Sequence, residues 1–318
     1  MTDKPHPGGI GSIGASGAPR VARVGYGAMQ LFEAASPADA AAVLRRAVEL
    51  GVNHIDTASF YGPGEVNRLI RETLAPYRSP YPEDLVIVSK VGARYTGEQP
   101  VPLAAAQNPA ELRAAVEDDL RQLGLDRIPV VNLRRLDLGP GLAAEGDQIV
   151  DLDHQLAEMV TLRDEGKIGA LGLSNVPLDV LRRAQPAGIV CVQNAYSLLD
   201  RLHEGILDFC IAEGIAWVPF FPLGSAFAGF PNVADDAVVT EIARELGVTG
   251  AQVGLAWLLA HAPNTLLIPG TRSIVHLEEN IRAADIALSA DAMARLDAVS
   301  PPEERIEHSH GVESFRTA

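Results

Sequence analysis

Two cysteines in 318 residues leave nothing from which to build a disulfide framework. Cys191 and Cys210 each lie inside an apolar run and are expected to be buried, reduced thiols. No charged segment followed by an apolar stretch opens the chain, and no apolar run approaches the ~18 residues of a membrane span. A soluble, cytoplasmic protein without a membrane partner is therefore expected. Cations are scarce: 26 Lys and Arg stand against 41 Asp and Glu, a net charge of −15. Phosphate-backbone binding needs clustered Lys and Arg, so no nucleic-acid partner is expected, although a local basic pocket for a phosphorylated small molecule is still permitted. Metal ligands are scarce too. The eight histidines are scattered, and only His308-Ser309-His310 pairs them, in a polar tail without cysteine, so no metal is expected.

The chain also lacks internal repeats and any linker that would split it. A single domain over 1–318 is expected, with 1–20 as a tail or small hairpin and 301–318 as a C-terminal tail. Gly9-Ile10-Gly11-Ser12-Ile13-Gly14 has the glycine spacing of a Rossmann dinucleotide loop, and Glu33 lies near the acidic offset of that motif. Such a loop needs a strand before it and a helix opening from it. Here Pro5 and Pro7 precede it, and Gly17 and Pro19 follow. A tail or hairpin is the better reading.

From Val24 onward, short apolar runs alternate with amphipathic stretches. The expected strands are Val24–Ala28, Val52–Asp56, Leu85–Val91, Val130–Leu133, Ala170–Leu173, Val190–Gln193, Ala216–Phe220 and Leu266–Ile268. Eight such units, each followed by a helical pattern, predict an α/β fold: a (β/α)8 TIM barrel with its site at the C-terminal ends of the strands. The helix starts are well marked. Ser36-Pro37-Ala38-Asp39 offers an N-cap, a first-turn proline and an early acid, before a stripe of Val43, Leu44, Ala47 and Val48 that Gly51 ends. Asn108-Pro109-Ala110-Glu111 repeats the device, with Leu112, Val116, Leu120 and Leu123 as the stripe and Gly124 as the stop. Ala93–Gln107 and Leu138–Gly146 are expected to be loops, the first lining the substrate entrance.

The most informative residues are Asp56, ending one strand, Tyr61 in the loop after it, and Lys90, ending the next strand. A phenol with a free pKa of ~10 donates its proton poorly unless a cation stabilises the phenolate. A carboxylate beside that cation would keep it charged and in place. The trio reads as a proton donor for a carbonyl oxygen, with Lys90 expected to lower the pKa of Tyr61.

With these residues stand Gly25-Tyr26-Gly27-Ala28-Met29, Gly172-Leu173-Ser174-Asn175, Gln193-Asn194, Pro219-Phe220-Phe221-Pro222-Leu223-Gly224, Ile268-Pro269-Gly270-Thr271 and Glu279-Asn280. In this order, from about Arg23 to Ser300, the chain resembles the aldo-keto reductases. The resemblance implies reduction of a small-molecule aldehyde or ketone with NADP(H), Tyr61 acting as general acid. It places the cofactor against Gly27, Ala28 and Met29 and assigns Ser174, Asn175 and Gln193 to the nicotinamide carboxamide. Phe220 would stack on the nicotinamide ring, while Phe221, Leu223 and Ser225 would meet the pyrophosphate. At the eighth strand Gly270 and His276 replace the family's usual lysine and arginine. Thr271 and Arg272 remain for a 2′-phosphate, and Glu279 and Asn280 match the adenine-binding pair. NADP(H) is expected over NAD(H).

One departure stands out. At the fourth strand the family pattern ends in Leu-His-Arg, whereas Asn132-Leu133-Arg134-Arg135 puts Arg134 at the histidine position. Arginine can still donate to a carbonyl oxygen, with a permanent charge that favours an anionic group nearby. It can also turn away to pair with Asp137. The flanking segments resemble a bacterial subgroup that includes NADPH-dependent reductases of pyridoxal, whose aldehyde stands beside a phenolate oxygen. Two other readings stay open: a catalytically weak, cofactor-sensing barrel, and a Schiff-base aldolase using Lys90.

Overall fold

The computed structural model describes residues 6–13, 20–74, 84–98, 102–136, 142–224 and 231–299. Strands are β1 (Ile10–Ser12), β2 (Arg20–Ala22), β3 (Tyr26–Gly27), β4 (His54–Asp56), β5 (Val86–Val91), β6 (Ala93–Tyr95), β7 (Leu103–Ala105), β8 (Ile128–Arg134), β9 (Ile168–Ser174), β10 (Ile189–Gln193) and β11 (Ala216–Trp217). Helices are α1 (Pro37–Glu49), α2 (Glu65–Leu74), α3 (Pro109–Leu123), α4 (Leu152–Asp164), α5 (Leu178–Ala184), α6 (Glu204–Glu213), α7 (Ala237–Leu246), α8 (Gly250–His261), α9 (Ile274–Arg282) and α10 (Ala290–Asp297).

The parallel sheet runs in the order β11-β10-β9-β8-β5-β4-β3. Segment 264–270 fills the remaining gap. Leu266 N donates to Trp217 O at 2.8 Å, Leu267 N to Arg23 O at 2.8 Å, and Gly25 N to Leu267 O at 2.7 Å. The eighth strand thus closes a (β/α)8 barrel through single bridges rather than a full ladder. Glycine permits this seam. A Cβ on Gly27 would lie 2.4 Å from Ile268 O, and one on Gly270 would lie 2.8 Å from Gly27 O.

Barrel strands are covered on both faces, which is why they read as continuous apolar runs. Inside, Val86, Val88, Val130, Ala216 and Leu266 form one cluster with Ile13 and Val21. The glycine-spaced segment is accordingly half of an antiparallel hairpin, Ile10 opposite Ala22, that packs against the barrel interior. Both predicted caps are present. Ser36 Oγ accepts from Asp39 N at 3.2 Å, and Asn108 with Glu111 forms a capping box ahead of α3, which ends on Gly124 at φ 67°.

Segment 93–107 differs from expectation. It is not a plain loop: β6 and β7 pair antiparallel, Ala93 opposite Ala105. The hairpin sets Ala93 and Leu103 against Ala58, Phe60 and Tyr61, forming an apolar wall. The tail after residue 299, Asp137 and Ser225 lie outside the described residues, as does the greater part of the Leu138–Gly146 segment's first half.

Candidate active site

Asp56 is the last residue of β4, and Lys90 lies two residues past the position on β5 that pairs with it, Val88. The long lysine stem spans that offset. Its Nζ donates to Asp56 Oδ1 and, at 2.8 Å, to the Thr57 carbonyl. Lys90 is 5% and Asp56 2% exposed, so neither charge has much water as an alternative partner. Nζ lies 5.0 Å from the centroid of the Tyr61 ring, so its charge acts directly on the phenol. The structure thus brings the three residues together at one mouth.

The electrostatics differ from the sequence expectation in one respect. Burial raises the pKa of Tyr61 above its usual value, and Asp56 adds to the rise, while Lys90 and Arg134 pull it down without reversing the sign. The phenol is tuned by competition between burial and cations, not simply lowered. Burial also disfavours the Lys90 ammonium, but Asp56 and Tyr61 outweigh it, and the pKa of Lys90 lies above the usual lysine value.

The resemblance makes Gln193 a carboxamide contact only. It also supports the ion pair: its Nε2 donates to Asp56 Oδ2 at 2.7 Å. Its Oε1 is buried without a partner among the described residues. Below Asp56 on the same strand, His54 is fully buried, with neither ring nitrogen partnered among the described residues. Burial lowers its pKa to about 4, so the ring is neutral at physiological pH. Gly25 makes room for it, since a Cβ there would sit 2.8 Å from His54 Nδ1.

Behind the ion pair runs a second buried network. Thr57 Oγ1 donates to Asn67 Oδ1 at 2.7 Å, Asn67 Nδ2 donates to Asp119 Oδ1 at 2.7 Å, and Ser89 Oγ donates to Asp119 Oδ2 at 2.5 Å. These bonds tie α2 and α3 to the residues flanking Asp56 and Lys90. The signal was present in the α3 stripe, where an acid shares a face with Leu112, Val116 and Leu123. Burial raises the Asp119 pKa to about 7, against the hydrogen bonds from Ser89 and Asn67. Below pH ~4 folded and unfolded chains both carry this proton. Between about 4 and 7 only the folded chain keeps it, so this group's contribution to stability falls as pH rises, by up to ~1.4 kcal/mol per unit. Asp119→Asn removes that slope, since the Ser89 hydroxyl can rotate to accept from the new amide. Chemical denaturation across pH 4 to 7 should therefore find the variant gaining on wild type as pH rises. Parallel stability curves would remove Asp119 as a titrating group.

Arg134, ending β8, lies with its Cζ 5.5 Å from the centroid of the Phe220 ring, and its Nη1 donates to Ser174 Oγ at 3.4 Å. Burial lowers its pKa, and Tyr61 opposes the shift. The guanidinium therefore shares the mouth with the trio. Phe220 and Phe221 meet edge to face at 5.1 Å. Asn175 and Phe221 are non-glycine residues in the left-handed region, at φ 58° and 55°. Such backbone costs on the order of 1–3 kcal/mol each and gathers at binding sites.

Around the eighth strand, Thr271 is buried, and its carbonyl accepts from Tyr26 Oη at 2.6 Å. Ser273 caps α9, whose residues include His276, Glu279 and Asn280. Asn280 is buried and His276 exposed. Met29 is 48% exposed at the rim beside Gly27 and Ala28. Arg272 is already engaged: Nη1 donates to Glu33 O at 3.1 Å and to Glu33 Oε2 at 3.2 Å. Both cysteines are buried and free, and burial raises both thiol pKa values. Among the described residues, no helix is long and apolar enough to cross a membrane.

With the barrel, the buried Lys90–Asp56 pair and Tyr61 in place, the model of the "Aldo/keto reductase family" matches residues 23–301. The chain belongs to the aldo/keto reductase family. It is 45% identical over 292 residues to the pyridoxine 4-dehydrogenase of Escherichia coli K12, covering 89% of this chain and 96% of that protein. An uncharacterised oxidoreductase of Schizosaccharomyces pombe is 35% identical over 291 residues, covering 89% and 88%. Among solved structures, an aldo-keto reductase from Klebsiella pneumoniae in complex with NADPH aligns with TM-score 0.72 and 28% identity, covering 90% of this chain and 93% of that one. The thermostable aldo-keto reductase Tm1743, in complex with the inhibitor epalrestat, aligns with TM-score 0.74 and 28% identity, covering 91% and 98%.

Proposed function

We propose that this protein reduces a small aldehyde with NADPH, that the aldehyde is pyridoxal or a close analogue, and that Tyr61 gives the proton. The carrying observation is the Lys90 ammonium, which meets Asp56 and the Thr57 carbonyl while lying 5.0 Å from the centroid of the Tyr61 ring. The residues at the mouth fit the cofactor. Gln193 Oε1 is a buried acceptor awaiting an N–H, and the two left-handed non-glycine residues both lie on segments assigned to the cofactor.

When bound, NADPH supplies a hydride to the carbonyl carbon. As charge grows on the carbonyl oxygen, Tyr61 Oη transfers its proton there and the product is an alcohol. With burial raising its pKa, Tyr61 is protonated at neutral pH, which is the form that reduction requires. Lys90 stabilises the phenolate left behind, while Asp56, held by Gln193, keeps the ammonium charged and oriented. The same ion pair argues against the aldolase, because a Schiff-base lysine has to lose its proton and this one holds it more tightly than usual.

The test follows NADPH absorbance with pyridoxal and a panel of simple aldehydes. Steady consumption is expected, greatest for pyridoxal. Tight NADPH binding without turnover would favour a sensor, and borohydride trapping at Lys90 would favour the aldolase.

Arg134 gives the substrate reading a sharper test. A guanidinium at the mouth suits an aldehyde flanked by an anionic oxygen and adds less to a neutral one. Arg134→Ala should lower kcat/KM for pyridoxal more than for benzaldehyde, and Arg134→His should recover part of the benzaldehyde activity. An unchanged ratio of the two kcat/KM values would place Arg134 outside substrate recognition.

A further inference from the structure

Glu33 is the acid that the Rossmann-like spacing drew attention to, and the hairpin leaves it without that role. In the fold it lies just before α1, against the one arginine assigned to the 2′-phosphate. Arg272 donates to both the backbone carbonyl and the carboxylate of Glu33 through the same Nη1. The pair is open to solvent, with Arg272 55% and Glu33 69% exposed. It borders a surface cavity that Asp39, a second acid, also lines. At this strand end the family's other two cations are absent, Gly270 and His276 standing in their places. A 2′-phosphate arriving here has Arg272 as its cation, and that cation already holds an anion.

We propose that Glu33 sets the cofactor preference of this enzyme: by holding Arg272, its carboxylate competes with the 2′-phosphate of NADPH and narrows the margin over NADH. The inference rests on the reading of Arg272 as the 2′-phosphate residue. NADPH must displace the carboxylate and then bear its negative charge close by, with ~1.5 to 2 negative charges of its own. NADH carries a hydroxyl at that position and neither needs the guanidinium nor meets the repulsion. An exposed ion pair is worth up to ~1 kcal/mol, which corresponds to about a fivefold change in affinity. The backbone contact to Glu33 O survives any side-chain substitution, which keeps the effect within that limit.

The experiment measures Kd for NADPH and for NADH by calorimetry on wild type, Glu33→Gln, Arg272→Ala, the double variant and Glu49→Gln. Glu49 pairs with Arg46 on the last turn of α1, so its substitution changes net charge equally at another place. Glu33→Gln should tighten NADPH about two- to fivefold and leave NADH unchanged. Glu49→Gln should change neither, and Glu33→Gln should have no effect once Arg272 is alanine. Equal gains for both cofactors, an equal gain from Glu49→Gln, or no gain at all would overturn the proposal. If Arg272→Ala weakens NADPH and NADH alike, the 2′-phosphate reading itself fails and this inference falls with it. A selective loss with Arg272→Ala but no gain with Glu33→Gln overturns the role of Glu33 alone.

Discussion

Tyr61→Phe is expected to lower kcat for aldehyde reduction at least about a hundredfold while leaving NADPH affinity unchanged. The substitution removes one oxygen and keeps the ring that packs against Phe60 at 5.5 Å, so fold and mouth shape survive. What is lost is the positioned proton, and such groups typically contribute ~10²–10⁴ in rate. Because the interaction matters when the carbonyl oxygen gains charge, kcat and kcat/KM should fall together. A variant that keeps its melting temperature and its turnover would assign the proton to another group or to water.

Lys90→Met has two effects of different kinds, and they can be separated. Activity should collapse to a similar degree, since the Tyr61 phenolate loses its cation and burial then acts on the phenol with only Arg134 opposing it. Stability should fall as well. Asp56 is 2% exposed and, among the described residues, would keep only Gln193 as a side-chain partner, and breaking a buried pair typically costs ~3–5 kcal/mol. Adding Asp56→Asn removes the stranded charge. The double variant should therefore recover much of the lost melting temperature and none of the lost turnover. Wild-type rates across pH in Lys90→Met would end the charge-tuning account. Recovery of turnover in the double variant would show that Lys90 serves the fold rather than the proton.

The barrel was legible because its signals are local. Apolar runs long enough for a strand, an N-cap serine with proline behind it, and a glycine at the helix stop each act within a few residues. The caps at Ser36 and Asn108 both form. Strand lengths were less legible: Val24–Ala28 contributes only Tyr26–Gly27 as a regular strand, and Leu266–Ile268 contributes single bridges. Closure of the barrel at a glycine seam, a tertiary event, decides both. The hairpin at 93–105 was missed because its arms are three residues each and pair only with one another.

At the site, residue types predicted the assembly of Asp56, Tyr61 and Lys90 but not the balance within it. Burial dominates the Tyr61 phenol, and that burial depends on Ala93 and Leu103 arriving from a separate segment to join Ala58 and Phe60. Gln193 illustrates the same limit. The family resemblance assigns it to the nicotinamide carboxamide, and only the barrel's curvature brings it to Asp56, 137 residues away in sequence. Asp119 and Glu33 were visible as residues, yet one needed α3 docked on β5 and the other needed the seam between strands eight and one.

The central claim is hydride transfer to an aldehyde carbon coupled to proton donation by Tyr61. The most direct measurement supplies NADPH deuterated at both C4 positions of the nicotinamide, together with pyridoxal, and analyses the product by mass spectrometry. Wild type should form pyridoxine carrying one deuterium on the new alcohol carbon, and Tyr61→Phe should form it at least about a hundredfold more slowly. Pyridoxine without deuterium, or deuterated pyridoxine at the wild-type rate from Tyr61→Phe, would contradict the account.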